Sequence, residues 1–457
     1  MFAGQSTYAP SWVKTDDKRF PRARIDKDGK LQVREVLSIF NQDAIDADRK
    51  AFSALMEHVK DVDSEHETVI MVQVENEVGL LGDSRDRGEL AERAFKSAVP
   101  VDLVSRLEAE WDQLNDELRS NLSHFQKTSA RDGLNWEQLF GKSLQTDELF
   151  MAYHYAIYVE QVAAAGKAKY DIPHYANAWL RNTSGAPGSN TTVSDGVNPG
   201  EYPCGGPIET VLDIWFMFAP SLAFLAPDIY MPDYPTTCKA YRHRGQPLFI
   251  PEQRGDTLGS IRMWEAIGTY GALATSPFGI DTLPDHMNAT EKHMRLMQSV
   301  APLILEARRK DSPMAGFFFD EFDAGSKDPS PERTLTFGNW TLTISRAHVF
   351  GHPGPGFGMV IQVEADRFIL IGQGFQVAFE STSPESTYSG ILCFAEKEVD
   401  PKTAELKTVR LLNGDETRSG TIAVMPSESP DYGVVPVAIL IPAVTSVAEV
   451  RAYSLSG

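Results

Sequence analysis

Two carboxylates stand out by position: Glu77 in MVQVENEVG and Glu252 in PLFIPEQRG each close a short β-rich run. In a β/α barrel the carboxyl ends of the strands build the site, so two acids placed there converge on one pocket. Glycoside hydrolysis needs such a pair, one acid to protonate the leaving oxygen and the other to attack the anomeric carbon or activate water. The structural alternative is that both glutamates are solvated or paired with nearby arginines such as Arg254 and Arg262. Glu75 competes with Glu77, because strand alternation puts the two on one face. Sugar pockets also need a flat apolar surface and amides for hydroxyls, which Asn177 and Trp179 in HYANAWL offer. A core tryptophan is the competing reading for Trp179, and Trp264, inside a helical pattern, is assigned to the core. The ten histidines are scattered, and His66 in HETVI lacks the second histidine of a zinc-protease helix, so no metal site and no cofactor are expected.

The elements that must position these residues alternate. Residues 44–62 carry apolar positions at helical spacing and lead into TVIMVQV, residues 68–74. The same order recurs, with helices predicted over 147–165, 207–218, around Thr237 and over 260–270, before HYANAWL, APDIYMPDY, PLFIPE and GALATSPFGID respectively. A closing helix is predicted over 291–310. Alternation of this kind implies a parallel sheet covered by helices, as in a β/α barrel or a doubly wound sheet. Residues 81–146 form an insertion with its own charged helix over 103–118, expected beside the rim. Residues 182–206 are rich in Gly, Pro, Ser and Asn and read as a loop on the carboxyl face. After about Ser312, short alternating runs predict an all-β sandwich. The predicted domains are therefore residues 1–311, containing the insertion, and 312–457. GHPGPGFG, residues 351–358, looks like a phosphate loop but lies between strands, and is read as a hairpin loop.

Composition narrows the partners. Lys+Arg 43 against Asp+Glu 63 gives a net charge of −20, which repels phosphate backbones and anionic lipid. Neither nucleic acid nor membrane is an expected partner, and the apolar stretches 211–227 and 434–450 are short and broken by proline. Cys204, Cys238 and Cys393 lie far apart, so one disulfide at most can form. The opening residues lack a signal-peptide pattern. Five sequons, at Asn121, Asn182, Asn190, Asn288 and Asn339, would permit glycosylation in a secretory compartment, and localisation is left open.

VQVENEVG closely resembles the strand-four motif of glycoside hydrolase family 35, the β-galactosidases, and PLFIPEQR resembles its strand-seven motif. STYAPSWVK, APDIYMPDY and SPFGID resemble intervening segments of a subgroup with a C-terminal β-sandwich. The likeness runs from about Ser6 to the end of the chain. It implies an α/β plus all-β protein, a partial (β/α)8 TIM barrel of strands four to eight followed by a β-sandwich. The implied activity is that of a retaining exo-glycosidase releasing terminal β-linked galactose from oligosaccharides or polysaccharides. Carried over by residue, Glu77 matches the acid/base and Glu252 the nucleophile. Asn76 matches the amide that meets the sugar 2-hydroxyl, and Tyr230 matches the phenol that orients the nucleophile; a rim tyrosine packed on Tyr234 is the plainer reading of Tyr230.

A complete barrel takes about 250 residues, whereas the barrel-like region here stops near Asp311. The resemblance therefore implies that the first three βα units are missing, that parallel edges are open to self-association, and that residues 1–457 turn over little substrate. Two other readings stay open: a non-catalytic carbohydrate-binding or decayed relative, and a β-glucosidase-like specificity.

Overall fold

The structure, a computed structural model, describes residues 8–182, 196–230, 233–281, 289–323, 325–348, 350–435, 437 and 439–456. The sequons at Asn190 and Asn288, the middle of the glycine- and serine-rich loop, and Met231 and Pro232 of APDIYMPDY lie outside the described residues. The chain divides into two units, Met1–Glu252 and Gln253–Gly457. The change from helix to strand near residue 312 falls inside the second unit.

In the first unit, three parallel strands, Val72–Gln73, His174–Trp179 and Phe224–Asp228, lie side by side in that order. The Ile229 N–H reaches the Glu252 carbonyl at 2.9 Å, which continues the ladder toward Ile250. Tyr175 and Phe224 sit on one face and stack with ring centroids 5.2 Å apart, and Phe249 and Met71 complete that apolar layer. Asn177, Trp179 and Asp228 follow on the same face, because side chains two apart on a strand point the same way.

Two long helices flank these strands. Gln42–Asp63 begins at Asn41, whose side chain accepts the Ala44 N–H at 3.0 Å, and Leu144–Lys167 begins at Ser143, which caps Thr146. They approach closely at Gly166, where a Cβ would fall 2.2 Å from the Phe52 ring. Both helices match their expected positions to within a turn.

The insertion differs from its reading. The single helix expected over 103–118 is divided into Val101–Ala109, a 3-10 turn at Trp111–Gln113, and Asp116–Asn121. Asn115 causes the break: its side chain caps a new helix at Leu118, at 2.8 Å, while its backbone N–H binds Asp213 at 2.8 Å. Arg181, just past the His174–Trp179 strand, ties the insertion to that strand end through Glu117 at 2.6 Å. A hairpin of Arg22–Lys27 and Lys30–Leu37 was not anticipated, although Asp28-Gly29 between them is a strong turn signal. Both turn residues have positive φ, 55° and 76°, as such a two-residue turn requires.

In the second unit, Thr257–Gly268 and Ala289–Arg309 are the helices expected over 260–270 and 291–310. Two antiparallel sheets follow, one of four strands and one of six, and both contribute side chains to one core that includes Phe317, Leu342, Phe368, Phe375 and Val450. The GHPGPGFG segment is not a hairpin loop. The Trp340–Arg346 strand before it belongs to the four-stranded sheet and the Gly356–Glu364 strand after it to the six-stranded one, so the segment crosses between sheets. Proline and glycine suit a crossover as well as a hairpin, which is why the sequence misled. The three cysteines are free thiols. Among the described residues, no helix is long and apolar enough to cross a membrane.

Candidate active site

Beyond Gln73 the chain leaves the extended conformation. Glu75 and Glu77 both have positive φ, 62° and 43°, on either side of Asn76. Left-handed backbone at non-glycine residues costs about 1 to 3 kcal/mol each and persists only where surrounding contacts impose it. Those contacts are present. The Glu77 N–H donates to Asn177 Oδ1 at 2.9 Å, and Gln73 Nε2 donates to the Glu75 carbonyl at 3.0 Å and to Asn76 Oδ1 at 2.9 Å. Simple alternation from Glu75 to Glu77 therefore fails, because the residues are no longer on a strand. Only Glu77 joins the acid cluster.

That cluster holds three carboxylates. One oxygen from each of Glu77, Asp228 and Glu252 lies within 4.8 Å of the other two. Tyr230 donates its phenol O–H to Glu252 Oε2 at 2.8 Å. Asn177 donates from Nδ2 to Asp228 Oδ2 at 2.7 Å and to Asn76 Oδ1 at 3.1 Å. Glu77 is buried at 8% exposure, whereas Asn76, Trp179, Tyr230 and Glu252 are half-buried.

Burial first, and then the Glu252 charge, push the Glu77 carboxyl up to about 7, against a hydrogen bond with Asp228 that pulls it down. Burial raises Glu252 as well, opposed by the Tyr230 hydrogen bond. Burial and the two neighbouring charges hold Asp228 well above the usual carboxylate range. The three oxygens are close enough to share a cation, but calcium takes about six to eight oxygen ligands, and Asp228 Oδ2 is already bonded to Asn177. The same closeness lets the three carboxyls share protons.

Every residue singled out in the sequence for this chemistry comes to the cluster or its edge. Asn177 is nevertheless occupied: both its oxygen and its N–H2 group are held by protein partners. Asn76 Oδ1 accepts two hydrogen bonds, from Gln73 and from Asn177. The Trp179 indole N–H is sealed from solvent and unpartnered. Arg254 pairs with Asp256, and Arg262 with Asp320 at 3.3 Å. Sequence reasoning missed Asp228, although an aspartate inside the apolar run FLAPDIY was a signal, since a buried parallel strand rarely carries an acid.

The segment after Glu77 is clasped by glycines. A Cβ on Gly79, at φ 148°, would fall 2.5 Å from Pro203, and one on Gly205 2.6 Å from Met151. Leu80 and Cys204 exchange backbone hydrogen bonds of 3.1 and 2.9 Å, and buried Tyr202 donates to Glu148 at 2.6 Å. The loop after the His174–Trp179 strand thus holds the acid-bearing segment by main-chain contact.

A raised carboxyl pKa has a stability consequence of definite sign. Below about pH 4.5, the ordinary value, Glu77 is protonated in both the folded and the unfolded chain. As pH rises toward 7 the unfolded chain releases its proton first, so folded stability declines, and above 7 the deficit is complete. Glu77→Gln is therefore expected to stabilise the protein at pH 8 by up to about 3 kcal/mol, with little change at pH 4. Urea unfolding at both pH values measures this, and an equal effect at both would contradict the raised pKa.

Residues 290–423 match a family described as a domain of unknown function, DUF5597. No curated protein sequence matches the chain. Among solved structures, β-galactosidase from the psychrophilic Marinomonas ef1 is similar at 14% identity and a TM-score of 0.41, over 66% of this chain and 50% of that one. The chain thus spans half the length of that enzyme. The catalytic domain of β-amylase from Paenibacillus polymyxa is similar at 12% identity and 0.40, over 63% of this chain and 76% of that one. A catalytic mutant of Gan42B, a GH42 β-galactosidase from G. stearothermophilus, is similar at 9% identity and 0.44, over 98% of this chain and 87% of that one. Likenesses this remote leave the chemistry to be read from the site itself.

Proposed function

We propose that this chain carries the catalytic centre of a retaining exo-β-galactosidase, set at the carboxyl ends of the strands of a partial β/α barrel. The observation that carries the reading is the approach of Glu77 and Glu252, whose nearest oxygens lie within 4.8 Å. Retaining pairs lie about 5 to 5.5 Å apart, whereas inverting pairs stand about 6.5 to 9.5 Å apart to admit water. In this reading Glu252, oriented by Tyr230, attacks the anomeric carbon while Glu77 gives its proton to the departing oxygen. Glu77 then takes a proton from water, which displaces the Glu252 carboxylate and restores the original anomeric configuration. The N–H2 of Asn76 meets the 2-hydroxyl, Trp179 offers its ring face to the sugar, and Asn177 positions the machinery.

The test is hydrolysis of an aryl β-galactoside by the purified chain, with the first-formed sugar followed by proton NMR. β-Galactose is expected to appear before mutarotation, and kcat/KM to fall above about pH 7 as Glu77 loses its proton. Turnover would also set aside the sequence expectation that residues 1–457 are nearly inactive. α-Galactose as the first product would overturn the retaining assignment, and preference for the β-glucoside would overturn the sugar.

A further inference from the structure

Asp228 has no part in the double displacement just described. It closes the Phe224–Asp228 strand at 4% exposure, on the face that carries Asn177. Its Oδ2 accepts the Asn177 N–H at 2.7 Å. Its Oδ1 is sealed from solvent and receives no N–H from any described residue. An Asp228 oxygen lies within 4.8 Å of oxygens of both Glu77 and Glu252. Carboxylates this close, with no cationic side chain among the described residues acting on them, do not all remain ionised, and an O–H on one of them makes the approach favourable. Asn177 decides where that proton sits. Because Oδ2 takes an N–H, it is an acceptor, and Oδ1 is left as the donor.

We propose that Asp228 is a positioning residue kept as the neutral acid throughout the reaction, its Oδ1–H donated to the Glu77 carboxylate. This rests on the reading of Glu77 as the acid/base. When Glu77 has given its proton to the leaving oxygen, it is a carboxylate in a buried site beside the newly esterified Glu252. The Asp228 O–H stabilises that carboxylate until it accepts a proton from water. Asp228 itself neither gains nor loses a proton, so the balance is one proton out of Glu77 and one back. The ionisable groups that face Asp228 are Glu77 and Glu252, with the phenols of Tyr175, Tyr230 and Tyr241 near enough to feel its charge. None of these is a cation.

Two variants test this. Asp228→Asn keeps an acceptor for Asn177 and an N–H donor for Glu77, whereas Asp228→Leu keeps the bulk and neither function. If Asp228 is neutral, the alkaline limb of kcat/KM stays within about half a pH unit in the asparagine variant and rises by about one unit in the leucine variant, because a lost donor raises the Glu77 pKa. Deglycosylation, read with a fast-leaving aryl galactoside, is expected to slow about tenfold in the first and about a hundredfold in the second. If Asp228 is ionised instead, Asp228→Asn removes a negative charge and the limb falls by about one unit or more, which overturns the proposal. A second readout needs no turnover. Infrared spectra at pH 8 should show a protonated-carboxyl stretch that Asp228→Asn removes, and its absence from the unmodified protein would overturn the proposal even if no galactoside were cleaved. The band without galactosidase activity would leave Asp228 neutral and remove the assignment of function instead.

Discussion

Replacing Glu252 by glycine is expected to lower turnover of an aryl β-galactoside by about 10⁴- to 10⁶-fold, the scale on which loss of an attacking group is felt. In the proposed mechanism the attacking carboxylate is then absent, while Tyr230 and Glu77 stay in place. The vacated space admits a small anion on the same face. Added azide is therefore expected to restore release of the aryl group and to yield α-galactosyl azide, inverted relative to the substrate, because a single displacement replaces two. Glu252→Gln fills the space and should not be rescued. Recovery of β-galactosyl azide from the glycine variant, or near-normal turnover without azide, would remove Glu252 from the nucleophile's role.

The second large effect is one of discrimination. On the proposed roles, Glu77→Ala removes the proton donor but leaves the nucleophile, so aglycones that depart unaided are expected to suffer little in the first step. A dinitrophenyl galactoside should be attacked within about tenfold of the normal rate, whereas a sugar or alkyl aglycone should lose about 10²- to 10⁴-fold, the usual worth of general acid catalysis. Azide should now give the β-galactosyl product, opposite in configuration to that from the glycine variant at 252, since it intercepts the glycosyl-enzyme. Equal losses for both substrate types would pass the proton donor's role to Glu75 or Asp228.

The two catalytic candidates were legible because each ends an apolar run, and the strands His174–Trp179 and Phe224–Asp228 were legible because their β-rich runs follow helices. Glu77 could be told from Glu75 only through the resemblance. The physical distinction lies in two left-handed residues and in the Asn177 side chain, 100 positions away, which alternation does not encode. Asp228 escaped because its role depends on being pressed against Glu77, and pressure between distant residues leaves no local pattern. Asn177 was read as a sugar ligand from its amide, and only the three-dimensional arrangement shows that this amide also binds the Glu77 backbone, Asn76 and Asp228. The insertion was misread at Asn115, where a cap and a tertiary contact interrupt a sequence whose composition suits one continuous helix. The crossover at residues 351–358 was misread for the same kind of reason: proline and glycine announce that a strand ends, but not which sheet the chain joins next.

The clasp behind Glu77 has a consequence for the order of events during synthesis. Glu77 takes its anchor from Asn177, 100 residues downstream, and Asn177 holds Asp228 another 51 residues on. Tyr230 must then wait a further 22 residues for Glu252. Contacts of such sequence separation carry the loop-closure entropy that delays them relative to local structure. The helix Gln42–Asp63 can form soon after it leaves the ribosome, but the acid cluster cannot be completed until the chain has grown past residue 252. On a nascent chain that ends before Asn177, Glu77 has neither its anchor nor its acidic neighbours and is an ordinary solvated carboxylate. The reactive centre is thus the last part of the first unit to acquire its character, and a chain released early carries the acid without its chemistry.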